Sequence, residues 1–292
     1  MKDKLKAHLI TLPRWFALIS AVSAIVLGGI VSNADFIPIL LASISGLFIM
    51  ASGHSFNTLL DYEWTKFDRG QEHERSKRKE YTVGQQPIAA GILSSKEVLV
   101  NALGWLLLAA IPAVFLPRAI WLPWILGTLV TFWYAPAKKL WHPEVPLGFG
   151  FATFGVWLGM ASSGSITFWQ GFLVSLPLVM LWGGLAEHID QWTDWEPNWP
   201  KGGRSLGMLI GRLGIPLRWS ITWGMSIVYL LQIFLISIGL LAPSTALTFL
   251  AVVPITVCAI LIDTNLKKGV FWGLGAIFLY QVLYVMGQAI GS

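Results

Sequence analysis

Apolar runs of about span length recur along the chain, at roughly 13–33, 37–60, 97–116, 119–136, 146–164, 167–187, 215–240, 244–262 and 270–289. Runs of that length and apolarity suit membrane-crossing helices, so the pattern predicts nine transmembrane helices. Leu116-Pro117-Arg118 separates the third run from the fourth as a tight turn. Two polar stretches interrupt the series, at about 62–96 and 190–214, and the remaining connections are short. Residues 1–12 form a short basic amphipathic start. Lys2, Lys4 and Lys6 precede the first run, but no A-x-A-like site ends it, so it predicts a span and not a cleaved leader. The expectation is an all-α membrane protein with one transmembrane domain over residues 1–292.

Composition agrees. The chain is 55% hydrophobic and 12% charged, with mean hydropathy +0.66; a soluble domain carries roughly twice that charge. Sixteen Trp and sixteen Phe suit interfacial belts and an apolar pocket. The single cysteine, Cys258, excludes a disulfide within the chain and any multi-Cys metal site. Charge placement then tests the helix count. With the N-terminus inside, 19 of the 20 Lys and Arg fall in internal segments and only Arg118 is external. That is a strong positive-inside signal, and it puts both polar stretches on the cytoplasmic side. A multi-pass integral membrane protein follows, with membrane lipids around it and no nucleic-acid partner.

Two acidic clusters stand where charge should be scarce. The first ends the second run: Asn57-Thr58-Leu59-Leu60-Asp61 through Asp68. If the helix continues, 100° per residue puts Asn57 at 0°, Asp61 at about 40° and Asp68 at about 20° on one face. The second is Glu187-His188-Ile189-Asp190 with Asp194, each acid one turn from the next. Solvated helix caps are the plain reading. The chemical reading is Mg²⁺, which prefers carboxylates plus substrate phosphate and keeps several waters. Facing carboxylate groups can hold a diphosphate only if cations bridge them. Asn57, Asp61, Asp68, Asp190 and Asp194 are the candidate ligands, for two or three Mg²⁺ with Mn²⁺ as a substitute.

These motifs resemble the UbiA superfamily of intramembrane prenyltransferases. Its first motif is N-D-x-x-D-x-x-x-D; Asn57 and Asp61 match, Thr58 replaces the second-position Asp, and Thr65 takes the place of the third, with Asp68 next. That shifted form resembles the menaquinone-type (1,4-dihydroxy-2-naphthoate) branch. Its second motif is D-x-x-x-D with a G-K-x-T-L-x-x-x-x-G tail; here Asp190 and Asp194 precede Lys201-Gly-Gly-Arg204-Ser-Leu-Gly207-Met-Leu-Ile-Gly211 after about four extra residues. Gly84 to Ser94 resembles an R-P-I-x-x-G-x-I-S segment without its Arg, and Phe132-Trp-Tyr134-Ala-Pro136-Ala-Lys138-Lys139 resembles Y-x-x-P-x-x-x-K. The likeness runs from about residue 10 to the C-terminus. It implies a helical bundle around a central lipid-open pocket under cytoplasmic cap loops. The implied reaction moves a prenyl chain from a prenyl diphosphate to a small, aromatic acceptor in lipid or quinone biosynthesis.

Individual residues are weighed against that implication. Lys138 and Lys139 are either topology-setting cations or grips on the diphosphate. Tyr134, one turn before Lys138, is either an interfacial anchor or a ring that stabilises the allylic cation through its π face. Arg14 is a membrane anchor or a phosphate contact, and Lys201 and Arg204 would lie over the diphosphate if their loop closes. Trp192, Trp195 and Trp199 read as an interfacial belt or as a lid. A transporter would put its charges near the midplane on broken helices, and the interiors of these runs lack ionisable groups. A membrane terpene cyclase stays open because of Thr58 and Thr65, and prenyl transfer to a non-aromatic acceptor such as a glycerol phosphate lipid precursor is a further alternative.

Overall fold

The computed structural model describes residues 2–11, 15–69 and 86–291. All regular elements among them are helical. Among the described residues, eight helices are long and apolar enough to cross a membrane: Phe36–Glu63, Ser95–Val114, Arg118–Ala137, Glu144–Ala161, Phe168–Thr193, Leu217–Ser237, Pro243–Leu261 and Leu266–Gly291. A shorter apolar helix, Leu18–Val31, stands where the first run predicts a span. Most bounds follow the hydropathy, as Phe36–Glu63 does against 37–60. The exception is Phe168–Thr193, predicted as 167–187, which runs on through its acidic cluster.

Local chemistry sets several of these ends. Ser94 opens the Ser95–Val114 helix with a capping box: its backbone N–H donates to Glu97 Oε2 at 2.8 Å, and Glu97 N–H donates back to the Ser94 hydroxyl at 3.2 Å. Pro136 lies in the last turn of the helix that ends at Ala137, directly before Lys138.

Between helices in lipid, close backbone approach and polar contacts replace the hydrophobic drive. Gly159 and Gly28 show the first device. A methyl on Gly159 would overlap the Ile25 carbonyl, and one on Gly28 would overlap the Val156 carbonyl, so helices Trp15–Val31 and Phe154–Ala161 meet backbone to backbone. Ser45 and Ser52 show the second, donating to the Ala109 and Ala102 carbonyls of the neighbouring helix at 2.7 and 2.9 Å. In the later helices Gln232 gathers Thr245, Thr248 and Tyr280 in one buried network. Leu103, Leu107, Ile111 and Val114 stay exposed along one stripe of Ser95–Val114, as a lipid-facing surface requires.

Helices Phe36–Glu63, Arg118–Ala137 and Phe168–Thr193 finish at the same end of the bundle. Segment 194–216 crosses that end. Lys201 Nζ donates to the carbonyls of Phe67 and Arg69 at 2.7 and 2.8 Å, and Arg204 N–H donates to the Lys138 carbonyl at 2.7 Å. The two polar stretches, far apart in sequence, are therefore tied together over the helix ends.

Candidate active site

The first acidic cluster differs in construction from its sequence expectation. The helix does not continue to Asp68; it stops at Glu63. The N–H groups of Trp64 and Thr65 both return to the Leu60 carbonyl, and Lys66 takes a left-handed φ of 62°. Thr65 contributes the physical reason. Its hydroxyl donates to the Asp61 backbone carbonyl, an alternative partner to the helix ladder, and lies 3.2 Å from Asp61 Oδ1 as well. The turn then carries Asp68 back, so that its N–H donates to the Asp61 carbonyl at 3.2 Å. The shared helical face holds for Asn57 and Asp61, while Asp68 reaches the same neighbourhood through a turn. Asp61 and Asp68 are buried. Thr58, in the usual place of an acid, turns its hydroxyl back to the His54 carbonyl.

The second cluster closes Phe168–Thr193. Asp190 lies in the helical segment His188–Thr193, and Asp194 is the residue just past its end, with φ −101°. Asp194 is buried and Asp190 half-buried. Upstream, Met180–Glu187 is a π-helical stretch, a wider turn that re-aims the residues it carries and that recurs at functional sites.

Lys138 joins the clusters. Its ammonium is 2.6 Å from Asp61 Oδ2, donates to Asn57 Oδ1 at 3.2 Å, and lies 4.6 Å from the centre of the Tyr134 ring. On the other side, the Tyr134 hydroxyl donates to Glu187 Oε1 at 2.8 Å, and Gln191 Nε2 donates to the same oxygen at 2.6 Å. Asp61 and Asp190 are both within electrostatic reach of Tyr134. A continuous polar path thus runs from Asn57 and Asp61 through Lys138 and Tyr134 to Glu187.

The remaining predicted cations sit around this path. Lys139 lies 5.7 Å from the Phe67 ring centre. Lys201 is within electrostatic reach of Asp68; burial pushes its ammonium below the ordinary lysine value, and the Asp68 carboxylate opposes that shift. Arg204 points into its own loop, donating to the Trp199 and Gly203 carbonyls and stacking 4.3 Å from the Trp199 ring. Arg212 lies over the same ring at 4.6 Å, so Trp199 is a cation platform within the loop. Trp192 is tied to the Ile215 carbonyl. Arg14 lies outside the described residues.

Oxygen donors dominate, which suits a hard divalent cation. The Lys138 ammonium lodged between Asn57 and Asp61 marks that position as one that holds a cation. Among the described residues, however, no three Asp, Glu, His or Cys side chains converge as a ready-made metal cage. Such a site fits Mg²⁺ completed by phosphate and water, as that ion prefers.

Sequence spacing places Glu187 in the cluster but assigns it no role, because its partner lies on another helix. Glu144 belongs to none of the motifs. It follows Lys139 closely, and its carboxylate Oε1 is buried with no hydrogen-bond partner among the described residues. Its position just before an apolar run is the one signal the sequence carries for it.

The comparisons with known proteins agree with this architecture. A model of the UbiA prenyltransferase family matches residues 14–267. No curated protein matches the chain. Among solved structures, the apo form of a UbiA homolog from Aeropyrum pernix K1 is similar, with 17% identity and TM-score 0.73 over 96% of this chain and 99% of that one. A UbiA homolog from Archaeoglobus fulgidus, bound to DMAPP and Mg²⁺, superposes with 15% identity and TM-score 0.62 over 93% and 96%. A digeranylgeranylglyceryl phosphate synthase superposes with 16% identity and TM-score 0.60 over 99% of both chains. At these identities the neighbours show the fold, and the family match carries the assignment: the chain belongs to the UbiA prenyltransferase family and is an integral membrane prenyltransferase.

Proposed function

We propose that the protein catalyses Mg²⁺-dependent transfer of a prenyl chain from its diphosphate to a small aromatic acceptor, as the menaquinone-type branch does. The observation that carries this reading is Lys138, held between Asn57 and Asp61 on one side and the Tyr134 ring on the other. Neighbours solved with DMAPP or GPP and Mg²⁺ support the donor class. In this reading Asn57, Asp61, Asp68, Asp190 and Asp194 hold two or three Mg²⁺, with Mn²⁺ able to replace them. The bound ions neutralise charge on the departing diphosphate.

The chain's own groups do the rest. Lys138 and Lys139 grip phosphate oxygens, joined by Arg14 at the opening of the first span. Lys201 and Arg204 exchange the backbone carbonyls they now hold for phosphate oxygens, so the crossing segment acts as the cap. The Tyr134 ring offers its face to the allylic carbon, worth about 1–2 kcal/mol when water is excluded. The shorter helix at Trp15–Val31 counts as the first of nine spans around a lipid-open pocket, and the capped end faces the cytoplasm.

A second acceptor class has a specific observation behind it, the similarity to the digeranylgeranylglyceryl phosphate synthase. The test is incubation of the purified protein with Mg²⁺ and a panel of prenyl diphosphates, with dihydroxynaphthoate, hydroxybenzoate, a prenyl-accepting glycerol phosphate, or no acceptor. Mass spectrometry of the lipid phase identifies the product. Prenylated dihydroxynaphthoate is expected. A prenylated glycerol phosphate would move the protein to the other class, and a cyclised hydrocarbon without acceptor would make it a terpene cyclase.

A further inference from the structure

Glu187 is 3% exposed, three residues before Asp190, and absent from the candidate metal set. A carboxylate buried inside a membrane bundle needs a reason and partners. Its partners are the Tyr134 phenol, donating at 2.8 Å, and the Gln191 amide, donating at 2.6 Å, both to Oε1. The backbone is shaped to deliver it. The π-helical stretch begins at Met180 and ends at Glu187, and a side chain at Gly183 within it would overlap the Glu144 carbonyl of the adjoining helix. The wide turn and the close approach together set the angle at which Glu187 meets Tyr134.

From this geometry we infer that Glu187 is a positioning residue for prenyl transfer: it holds the Tyr134 ring face-on to the reacting cation and enriches that face in electrons. The inference rests on the prenyl-transfer reading. A phenol carries one proton, and here that proton is committed to Glu187, so the hydroxyl has none to give a diphosphate. What Tyr134 presents is its ring, and the ring already carries a cation, with Lys138 Nζ 4.6 Å from its centre. Donating its O–H to the Glu187 oxygen shifts electron density from that bond toward the ring. A richer ring binds an allylic cation more strongly through its quadrupole. No bond to Glu187 is made or broken during transfer. Its contribution is the orientation and polarity of its partner.

The test compares Glu187→Gln, Glu187→Ala, Tyr134→Phe and the double variant Tyr134→Phe/Glu187→Ala by three measurements. These are single-turnover release of diphosphate at saturating Mg²⁺, affinity for Mg²⁺ with inorganic pyrophosphate, and the tyrosine ring mode in infrared difference spectra, with Tyr134 assigned by the Phe variant. Glu187→Ala should slow the single turnover by about ten-fold, which corresponds to ~1.4 kcal/mol in the barrier. Pyrophosphate affinity should stay within about two-fold of wild type, because Glu187 touches neither ion nor phosphate in this role. Glu187→Gln keeps an accepting oxygen and the volume, so it should fall between wild type and Ala and should shift the ring mode. The double variant should be no slower than the slower single. A wild-type rate in Glu187→Ala, independent losses in the double variant, or pyrophosphate binding weakened ten-fold would each overturn the inference, the last by making Glu187 a metal ligand. If Glu187→Ala does not fold, the rate and ring mode of the Gln variant decide the same question. If the wild type transfers no prenyl group with any acceptor, the functional reading fails, while an unshifted ring mode in Glu187→Gln would refute the pairing itself.

Discussion

Lys138→Met is the most informative single perturbation of the site. The Lys138 and Asp61 side chains are 7% and 2% exposed and 2.6 Å apart, so the pair is buried. Removing one partner of a buried pair strands the other charge and costs about 3–5 kcal/mol. Asp61 keeps the Thr65 hydroxyl at 3.2 Å, which favours the lower end, about 3 kcal/mol. At about 2–4 °C per kcal/mol for a chain of comparable size, the midpoint of unfolding should fall by about 6–12 °C in EDTA. The stranded carboxylate is also an open cation seat. Mg²⁺ at a hundred times its dissociation constant returns about 2.7 kcal/mol, so most of the loss should be recovered by adding the ion. Wild type should gain less, because Lys138 holds the seat. The double variant Asp61→Asn/Lys138→Met removes both charges and should be more stable in EDTA than Lys138→Met alone. Tryptophan-fluorescence melting in lipid nanodiscs, with and without Mg²⁺, reads each of these differences. A Lys138→Met midpoint within about a degree of wild type, or a double variant no more stable than the single, would refute the reasoning.

Three further outcomes are expected. Asp190→Asn and Asp194→Asn should each abolish prenyl transfer while melting close to wild type, and EDTA should do the same to the unmodified protein; turnover in either variant would remove that residue from the site. Single cysteines in a Cys258→Ser background should label from one side of the membrane at 66 and 200 and from the other at 35 and 118, and labelling of 66 and 200 from opposite sides would sink the site. Ser94→Ala should lose the capping box and about 1 kcal/mol of stability without changing transfer rate, checked by melting and turnover on the same sample.

Span positions are legible because burial in lipid imposes one requirement, continuous apolarity, that sequence displays directly. Phe36–Glu63 and Leu217–Ser237 follow from it. The acidic clusters are legible too, since a charge at a span end stands out. The path between them is not. Periodicity assumes an unbroken α-helix, and both clusters break that assumption. At Thr65 a side-chain hydroxyl and the left-handed Lys66 turn the chain, so Asp68 arrives by a route no helical angle describes. At Met180–Glu187 the wider π turn changes the residue-to-angle relation that a 3.6-residue period relies on. Arg204 shows a different limit. Its position in the crossing segment can be read, but its preference for Trp199 over the helix ends depends on how that short loop folds on itself.

The same contacts dictate how ligands enter. Two like charges 4 Å apart repel by about 4 kcal/mol at an effective dielectric of 20. In the proposed reading, a diphosphate arriving alone would meet Asp61, Asp68, Asp190 and Asp194 with Lys138 already committed to Asp61. A divalent ion arriving alone would find the proposed oxygen seat held by the Lys138 ammonium. If both arrived together, Asp61 would hold the ion and the released Lys138 ammonium would take a phosphate oxygen. No charge is stranded at the end of that exchange, so the two ligands should bind with positive coupling. Linkage makes the coupling reciprocal. Inorganic pyrophosphate should tighten Mn²⁺ binding, and Mn²⁺ should tighten pyrophosphate binding by the same factor, measured by paramagnetic resonance of free Mn²⁺ and by calorimetry. Lys138→Met has no ammonium to exchange. It should bind Mn²⁺ alone more tightly than wild type and show a smaller coupling factor. If Lys138→Met binds Mn²⁺ alone no better than wild type, the ammonium is not competing for the metal seat, and the exchange of partners does not occur.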